Sequence, residues 1–360
     1  MVPNPAPPDR DRRDYQPRLE RRSCDSLRRV TQAVVQQFAT DSANKSGEKE
    51  KMNLPNHKSD FVHVNGIRLH YLDWGGTGPT LIFLAGMGSS AYIFSKFAPL
   101  FNDKFRVLAL TRRGHGDSDY PETGYDADTL VEDIRQFMDV LDVEKAVLAG
   151  HSLAGVELTH FAATYPQRVE KLVYLDALDD RRKERLIMEQ HPLRNVKIKK
   201  EESAPPRTLE EYIATVKRNV PDFARIWSEV WDEEIAHGVK VNDEGIYVDR
   251  MPASIEKLIV ENLINEYAPK KVEASIPILS FYGKRKRKIT DDYTDEQKAA
   301  YEEFHQEVIE PFFTFMVAEF QSRFPHAKIV VIPDGHHYCF IAQEDLVYRE
   351  TSKFLQDASP

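Results

Sequence analysis

The stretch Lys145-Ala146-Val147-Leu148-Ala149-Gly150-His151-Ser152-Leu153-Ala154-Gly155 decides the reading of this chain. An apolar strand ends at Gly150, a serine stands two residues later, and small residues follow at Ala154 and Gly155. A serine on a sharp strand-to-helix turn needs small neighbours on both sides, because the two backbones must pass closely. This is the sequence form of a nucleophile elbow. Ala154 stands where a second glycine is usual, with Gly155 next to it.

The flanking sequence supplies the context that such a turn requires. Upstream, Phe61-Val62-His63-Val64 and Ile67 to Leu72 alternate around Asn65-Gly66, a hairpin signal. Thr80 to Leu84 is a continuous apolar strand followed by Gly86 and Gly88, and Phe105 to Leu110 is another, ending near Arg113-Gly114-His115-Gly116. Residues 126–142 carry Leu130, Ile134, Phe137, Met138 and Leu141 at helical spacing. A strand over 145–149, a helix over 153–165 and a strand from Lys171 to Leu175 follow. Nearly all-apolar strands alternating with helices predict an α/β protein with a parallel sheet covered on both faces. The alternation stops near residue 180. Residues 181–270 are charged, helix-prone and rich in Trp and Tyr. Strand patterns return at Pro277–Tyr282 and Lys328–Ile332, separated by a helical stretch over 294–324. The chain therefore divides into a core of 58–180 and 271–360, a helical insertion of 181–270, and an N-terminal extension of 1–57.

Composition narrows the class. The chain has 360 residues, 41% of them hydrophobic, enough for one large domain with an insertion or for two domains. A net charge of -9 gives no support for a nucleic-acid partner. No apolar run reaches the length of about 18 residues that a membrane span needs. The two cysteines, Cys24 and Cys339, make no disulfide framework, and a reducing, cytoplasmic setting is expected. The first residues lack an apolar signal core. They are arginine-rich, but Asp9, Asp11, Asp14, Glu20 and Asp25 interrupt the basic run, which argues against a transit peptide. The expectation for 1–57 is a flexible polar extension, with a short amphipathic helix from Ser26 to Thr40 and a polar linker after it.

A serine hydroxyl needs a base to take its proton, a third group to hold that base, and backbone donors for the developing oxyanion. Ser152 is the candidate nucleophile. Ile332-Pro333-Asp334-Gly335-His336-His337-Tyr338-Cys339-Phe340 offers two histidines just past the last strand. With the elbow and this segment together, the chain resembles the α/β-hydrolase fold superfamily from about residue 60 to 357. The resemblance implies a mostly parallel eight-stranded sheet with helices on both faces and a helical lid. Members commonly carry Gly-His, two or three apolar residues and then a helix. His337 in that histidine position aligns Tyr338 to Ile341 with the apolar run and Gln343 with the helix start; His336 then replaces the usual glycine. The other placement keeps Gly335-His336 as the pair. His337 is preferred, and a two-histidine metal site lacks spaced carboxylate partners.

The resemblance leaves the acid open. Many members place it after the penultimate strand as Gly-x-x-Asp, but here Gly283 is followed by Lys284-Arg285-Lys286-Arg287-Lys288, with Asp291 and Asp292 only later. Another branch takes its acid from the end of the strand after the elbow helix. The segment from elbow to strand resembles haloalkane dehalogenases without a gap, which puts Asp176 at their acid position. Asp176 is therefore preferred, with Asp179 and Asp180 as the neighbouring alternatives and a role in bonding local backbone as the non-catalytic one. The same resemblance assigns the oxyanion donors to the N–H of Leu153 and the N–H of Met87, where Ala85-Gly86 replaces the usual His-Gly. Arg112 to Ser118 resembles the family's Arg-Gly-x-Gly-x-Ser turn and is expected to organise the loop below the pocket, with direct substrate contact by His115 or Asp117 the lesser reading. Dehalogenases and epoxide hydrolases of this fold use an aspartate nucleophile, which Ser152 argues against; cofactor-free haloperoxidases and hydroxynitrile lyases use serine.

In the insertion, Tyr212, Phe223, Ile226, Trp227, Val230 and Trp231 either line a largely apolar pocket or hold the insertion together. Lys284 to Lys288 reads as a solvated loop in preference to a nuclear localisation patch, and Cys339 as a small buried residue. The resulting expectation is a serine hydrolase acting on an ester or lactone, less readily an amide, with an apolar or aromatic small molecule as substrate and neither metal nor organic cofactor. A lyase, perhydrolase or acyltransferase with the same triad, or a binding protein without turnover, are the alternatives. Oligomeric state is left open.

Overall fold

Among the described residues, one sheet of eight strands runs in the order β1-β2-β4-β3-β5-β6-β9-β10. They are β1 (Lys58–Val64), β2 (Ile67–Gly75), β3 (Thr80–Leu84), β4 (Arg106–Leu110), β5 (Ala146–His151), β6 (Val169–Leu175), β9 (Ile278–Lys284) and β10 (Lys328–Pro333). This is a computed structural model, and it describes residues 56–177, 179, 180, 182, 204–284 and 294–357. The N-terminal extension up to residue 55, its anticipated helix, residues 183–203 and the stretch from Arg285 through Asp291 and Asp292 lie outside the described residues. Lys58 to Val64 pairs antiparallel with β2 through the Asn65-Gly66 turn, and β2 runs antiparallel to β4; the pairs from β4 onward are parallel. Asn65 and Gly66 both take positive φ, 48° and 77°, as a tight hairpin turn demands.

Alternate residues of each strand serve opposite layers. Ile82, Leu108, Leu148, Leu172 and Tyr174 face α1 (Ala127–Val140), α2 (Ala154–Thr164) and α7 (Glu310–Arg323), meeting Phe137, Phe161 and Phe320. Phe83, Ala109, Val147, Val173 and Phe281 face the other way, onto Phe94, Phe97 and α8 (Glu344–Gln356). With both faces covered, the strands have no polar side, which is why they read as continuous apolar runs. Asp126 caps α1 by accepting from the Thr129 N–H at 2.9 Å, which starts that helix one residue after the extended chain ends.

The parallel register brings strand ends to one edge. Leu84 lies opposite Gly150, His151 opposite Leu175, Leu175 opposite Phe281, and Ile332 opposite Gly283. Residues leaving these ends share one crevice, the usual ligand side of an open α/β sheet.

Between β6 and β9 the described residues form α3 (Leu209–Asn219), one turn at Pro221–Arg225, α4 (Glu229–Gly238), a small hairpin of β7 (Val239–Val241) and β8 (Tyr247–Asp249), and α5 (Ala253–Ile259), which continues as a wider turn to Asn265. The insertion is thus not wholly helical. The hairpin arises because Asn242 folds its side chain back, its Oδ1 accepting from the N–H groups of Glu244 and Ile246 at 3.1 and 2.9 Å, while Gly245 supplies a φ of 73°. The long helical stretch expected over 294–324 is also interrupted. Helix α6 (Asp295–Phe304), started by a capping box at Thr294 and Gln297, widens over His305–Ile309 before α7 begins. Pro311 at the start of α7 has no N–H to give to the preceding turn, so the ladder changes register there. Among the described residues no helix is long and apolar enough to cross a membrane.

Candidate active site

Ser152 follows β5 with a φ of 54°, the left-handed region that non-glycine residues rarely adopt. Its neighbours explain how the turn closes. A Cβ added at Gly150 would fall 2.9 Å from both Ala154 Cβ and Leu158 Cγ. Gly150 therefore gives up the space that Ala154 occupies, and this accommodates the alanine in place of the second glycine. On the other side, a Cβ on Gly86 would lie 3.0 Å from Ser152 Cβ, so the loop after β3 passes directly against the nucleophile turn.

Asp176 leaves the end of β6 with a φ of 47°. Its N–H donates to the Phe281 carbonyl at 3.0 Å, and its Oδ1 accepts from the Gly283 N–H at 2.8 Å. Both anchors belong to the adjacent β9, so the carboxyl is held by two strand ends. His337 arrives from the loop after β10. That loop crosses β9 at a glycine pair: a Cβ on Gly335 would lie 2.6 Å from Gly283 Cα. His337 Nδ1 then donates to Asp176 Oδ2 at 2.7 Å, and His337 Nε2 lies 2.9 Å from Ser152 Oγ. With the proton on Nδ1 held by the carboxylate, Nε2 is left to accept the serine proton. Three residues separated by 24 and 161 positions in sequence thus form one hydrogen-bonded line.

The structure brings Ser152, His337 and Asp176 together and points His336 elsewhere: its N–H donates to Gln343 Oε1 at 3.2 Å and its Nδ1 accepts from the Tyr338 N–H at 3.0 Å. Asp179 is buried against Arg323, and Asp180 pairs with Arg182 at 2.7 Å. Leu153 directly follows Ser152, and Met87 directly follows Gly86, whose backbone passes against the serine turn.

Sequence reasoning missed how this loop is held. Arg112 donates from Nη2 to the Ala85 carbonyl at 2.7 Å, from Nη1 to the Gly86 carbonyl at 3.3 Å, and from Nε to Glu157 Oε1 at 2.9 Å. Glu157 is the one acid on the buried helix α2, and a lone acid buried on such a helix signals a buried cation. The next residue, Arg113, forms a two-pronged pair with Asp133 at 2.7 and 2.6 Å. The turn 112–118 does organise the loop beneath the site. His115 is buried, donates from Nδ1 to the Arg113 carbonyl at 2.9 Å, and burial beside Arg112 pushes it down to about 3, so it stays neutral. Asp117 accepts from His237 Nδ1 at 2.5 Å and from Arg250 Nη1 at 2.7 Å, tying the turn to the insertion.

His151, the variable residue of the elbow, was also missed. It is buried, and its Nε2 lies 3.0 Å from the His337 carbonyl, bracing the base's backbone. Its ring lies 4.5 Å from that of Tyr338, which also meets Trp231 at 4.8 Å and Phe223 at 5.4 Å. These insertion aromatics therefore pack beside the base. Trp227, Ile226 and Val230 line a separate cavity of about 260 Å³ with Ile93, Phe97 and Phe340. The Tyr212 hydroxyl donates to Asp249 at 2.5 Å, a link between two elements of the insertion that fits the reading of this residue as one that holds the insertion together. Met87 and Leu153 pack instead with Tyr125, Ile255, Ile259 and Leu263, an apolar wall shared by core and insertion. Cys339 is buried in the second layer of the core. Among the described residues no group of three His, Cys, Asp or Glu side chains is arranged to hold a metal.

Comparison with known proteins agrees with this architecture. Residues 79–220 match the family model described as alpha/beta hydrolase fold. The 2-(acetamidomethylene)succinate hydrolase of Mesorhizobium japonicum is 38% identical over 101 residues, 28% of this chain and 36% of that protein. The soluble epoxide hydrolase of Corynebacterium sp. is 35% identical over 115 residues, 32% of this chain and 40% of that protein. The matched region is thus well under half the length of these relatives. A solved structure of E-2-(acetamidomethylene)succinate hydrolase superposes with a TM-score of 0.63 at 21% identity, covering 84% of this chain and all of that one.

Proposed function

We propose that this chain, which has the α/β-hydrolase fold, is a serine hydrolase that cleaves a carboxylic ester or lactone through an acyl-enzyme on Ser152. The observation that carries the reading is the line from Asp176 Oδ2 through His337 to Ser152 Oγ, with steps of 2.7 and 2.9 Å. His337 Nε2 takes the Ser152 proton as Oγ attacks the carbonyl carbon. The oxygen that gains charge meets the N–H groups of Leu153 and Met87, fixed dipoles that need no reorganisation in the transition state. Asp176 holds the imidazole in the Nδ1–H form and stabilises the imidazolium. The same proton passes to the departing alkoxide. A water then gives its proton to Nε2 and attacks the acyl carbon; the bond from that carbon to Ser152 Oγ breaks, Nε2 returns the proton to Oγ, and the acid leaves. An ester or lactone is favoured over an amide because an alkoxide is expelled more easily than an amine anion.

The apolar wall at Ile255, Ile259 and Leu263 and the aromatic group at Phe223 and Trp231 support a lipophilic or aromatic substrate held between core and insertion, with the insertion acting as a lid. Some relatives open epoxides, a reaction that in this fold uses an aspartate at the elbow; the serine here supports acyl transfer instead. The test is labelling by a fluorophosphonate, which reacts with activated serine hydroxyls. The expected result is one label per chain, absent in Ser152→Ala, with activity on a panel of esters and lactones. A folded protein that takes no label would reject the reading.

A further inference from the structure

We infer that Glu234, carried on α4 of the insertion, is a positioning residue for the oxyanion loop, so that docking of the insertion sets the direction of the Met87 N–H. The inference rests on the serine-hydrolase reading for its catalytic meaning. The geometry starts with one peptide plane. In a trans peptide the C=O and the following N–H point in opposite directions, so whatever pins the Gly86 carbonyl aims the Met87 N–H. Two donors hold that carbonyl: Arg112 Nη1 and the Ser89 N–H, each at 3.3 Å. Arg112 is itself fixed by Glu157 and by the Ala85 carbonyl. Ser89 has to be fixed from its other side, and the next residue does this. The Ser90 N–H donates to Glu234 Oε1 at 2.7 Å, and the Ser90 hydroxyl donates to Glu234 Oε2 at 2.6 Å. Glu234 and Ser90 are buried, 5% and 1% exposed, so no solvent replaces these bonds if they are lost. The loop is therefore gripped from the core by Arg112 and from the insertion by Glu234, with the oxyanion donor between the two grips. A buried acid among the apolar Val230 and Trp231 on one helix face has no packing role that a leucine would not fill better.

The test compares Glu234→Ala, Glu234→Gln and Ser90→Ala with the unaltered chain. A glutamine keeps both links, its carbonyl accepting from the Ser90 N–H and its amide donating to the Ser90 oxygen. With p-nitrophenyl acetate as substrate, Glu234→Ala is expected to lower kcat about tenfold or more with KM within about twofold. Affinity for phenylboronic acid, which presents a tetrahedral oxyanion after adding to the serine, is expected to fall in parallel. Glu234→Gln is expected to stay within about threefold of the original, and Ser90→Ala, which keeps only the backbone link, to lie between. A loss confined to KM, an unchanged phenylboronic acid affinity, or a glutamine variant as impaired as the alanine would overturn the inference and mark Glu234 as a packing residue. Amide hydrogen exchange over residues 86–90 gives a readout independent of turnover: it should quicken in Glu234→Ala, and unchanged exchange would reject the grip. If the unaltered chain takes no fluorophosphonate, the functional reading fails, while the exchange comparison still decides the grip.

Discussion

Asp176 ties the end of β6 to β9 through its N–H and Oδ1 while its Oδ2 accepts from His337, and this gives its carboxyl a role that a neutral isostere reproduces only in part. An asparagine could still accept from the Gly283 N–H, but its amide would face His337 Nδ1 as a donor and favour the wrong tautomer. Asp176→Asn is expected to retain the fold and lower kcat by roughly a thousandfold or more, while His336→Ala, whose Nδ1 accepts from the Tyr338 N–H, should leave kcat within about threefold. Steady-state kinetics on any accepted ester checks both. Glu234 yields a second residue-scale prediction. Burial pushes its carboxyl from 4.5 up to about 7. Folded protein therefore keeps this proton over a range in which unfolded protein has released it. The stability is whole below the unfolded value and declines as pH rises toward 7. Glu234→Gln is free of that decline. Its stability relative to the original chain should rise between pH 5 and 8 by on the order of 3 kcal/mol, as read by urea denaturation at the two pH values. His237, one turn along α4, opposes part of the shift and will reduce the difference.

At the scale of elements, the site depends on how closely two loops cross. The end of β9 and the loop after β10 touch at Gly283 and Gly335, where even one methyl group has no room. Gly335→Ala should push the loop off β9 and carry His337 away from both partners. Overpacking of this kind costs about 1–3 kcal/mol, so the protein should remain folded at moderate temperature while activity falls far more than stability does. A thermal melt beside an activity assay distinguishes this from simple unfolding. The elbow helix makes a parallel case. Gly150 is the residue that fits under Ala154 and Leu158, and its loss would displace Ser152 directly.

Over the whole molecule, buried polar links connect parts of the chain that are distant in sequence. Arg113 and Asp133 join the turn after β4 to α1, and Asn65 Nδ2 adds the first hairpin by donating to Asp133 Oδ1 at 2.9 Å. Removing the cation leaves a buried carboxylate without its partner, so Arg113→Ala should cost about 3–5 kcal/mol in chemical denaturation. The sequence by itself determined the layered α/β architecture, because unbroken apolar runs of strand length, alternating with helical periodicity, leave no other way to bury both faces. It also determined the elbow at Ser152, because the crowding that selects small residues there is local. Tertiary structure decided which histidine and which aspartate meet that serine. The choice between His336 and His337 turns on the direction of one loop crossing β9, and Asp176 is selected because β6 and β9 are neighbours in the sheet, a relation between segments a hundred residues apart. The grip of Glu234 on Ser90 and of Arg112 on Gly86 was invisible for the same reason. Periodicity reports what a segment buries, whereas a hydrogen bond between segments depends on where the folded backbone brings them.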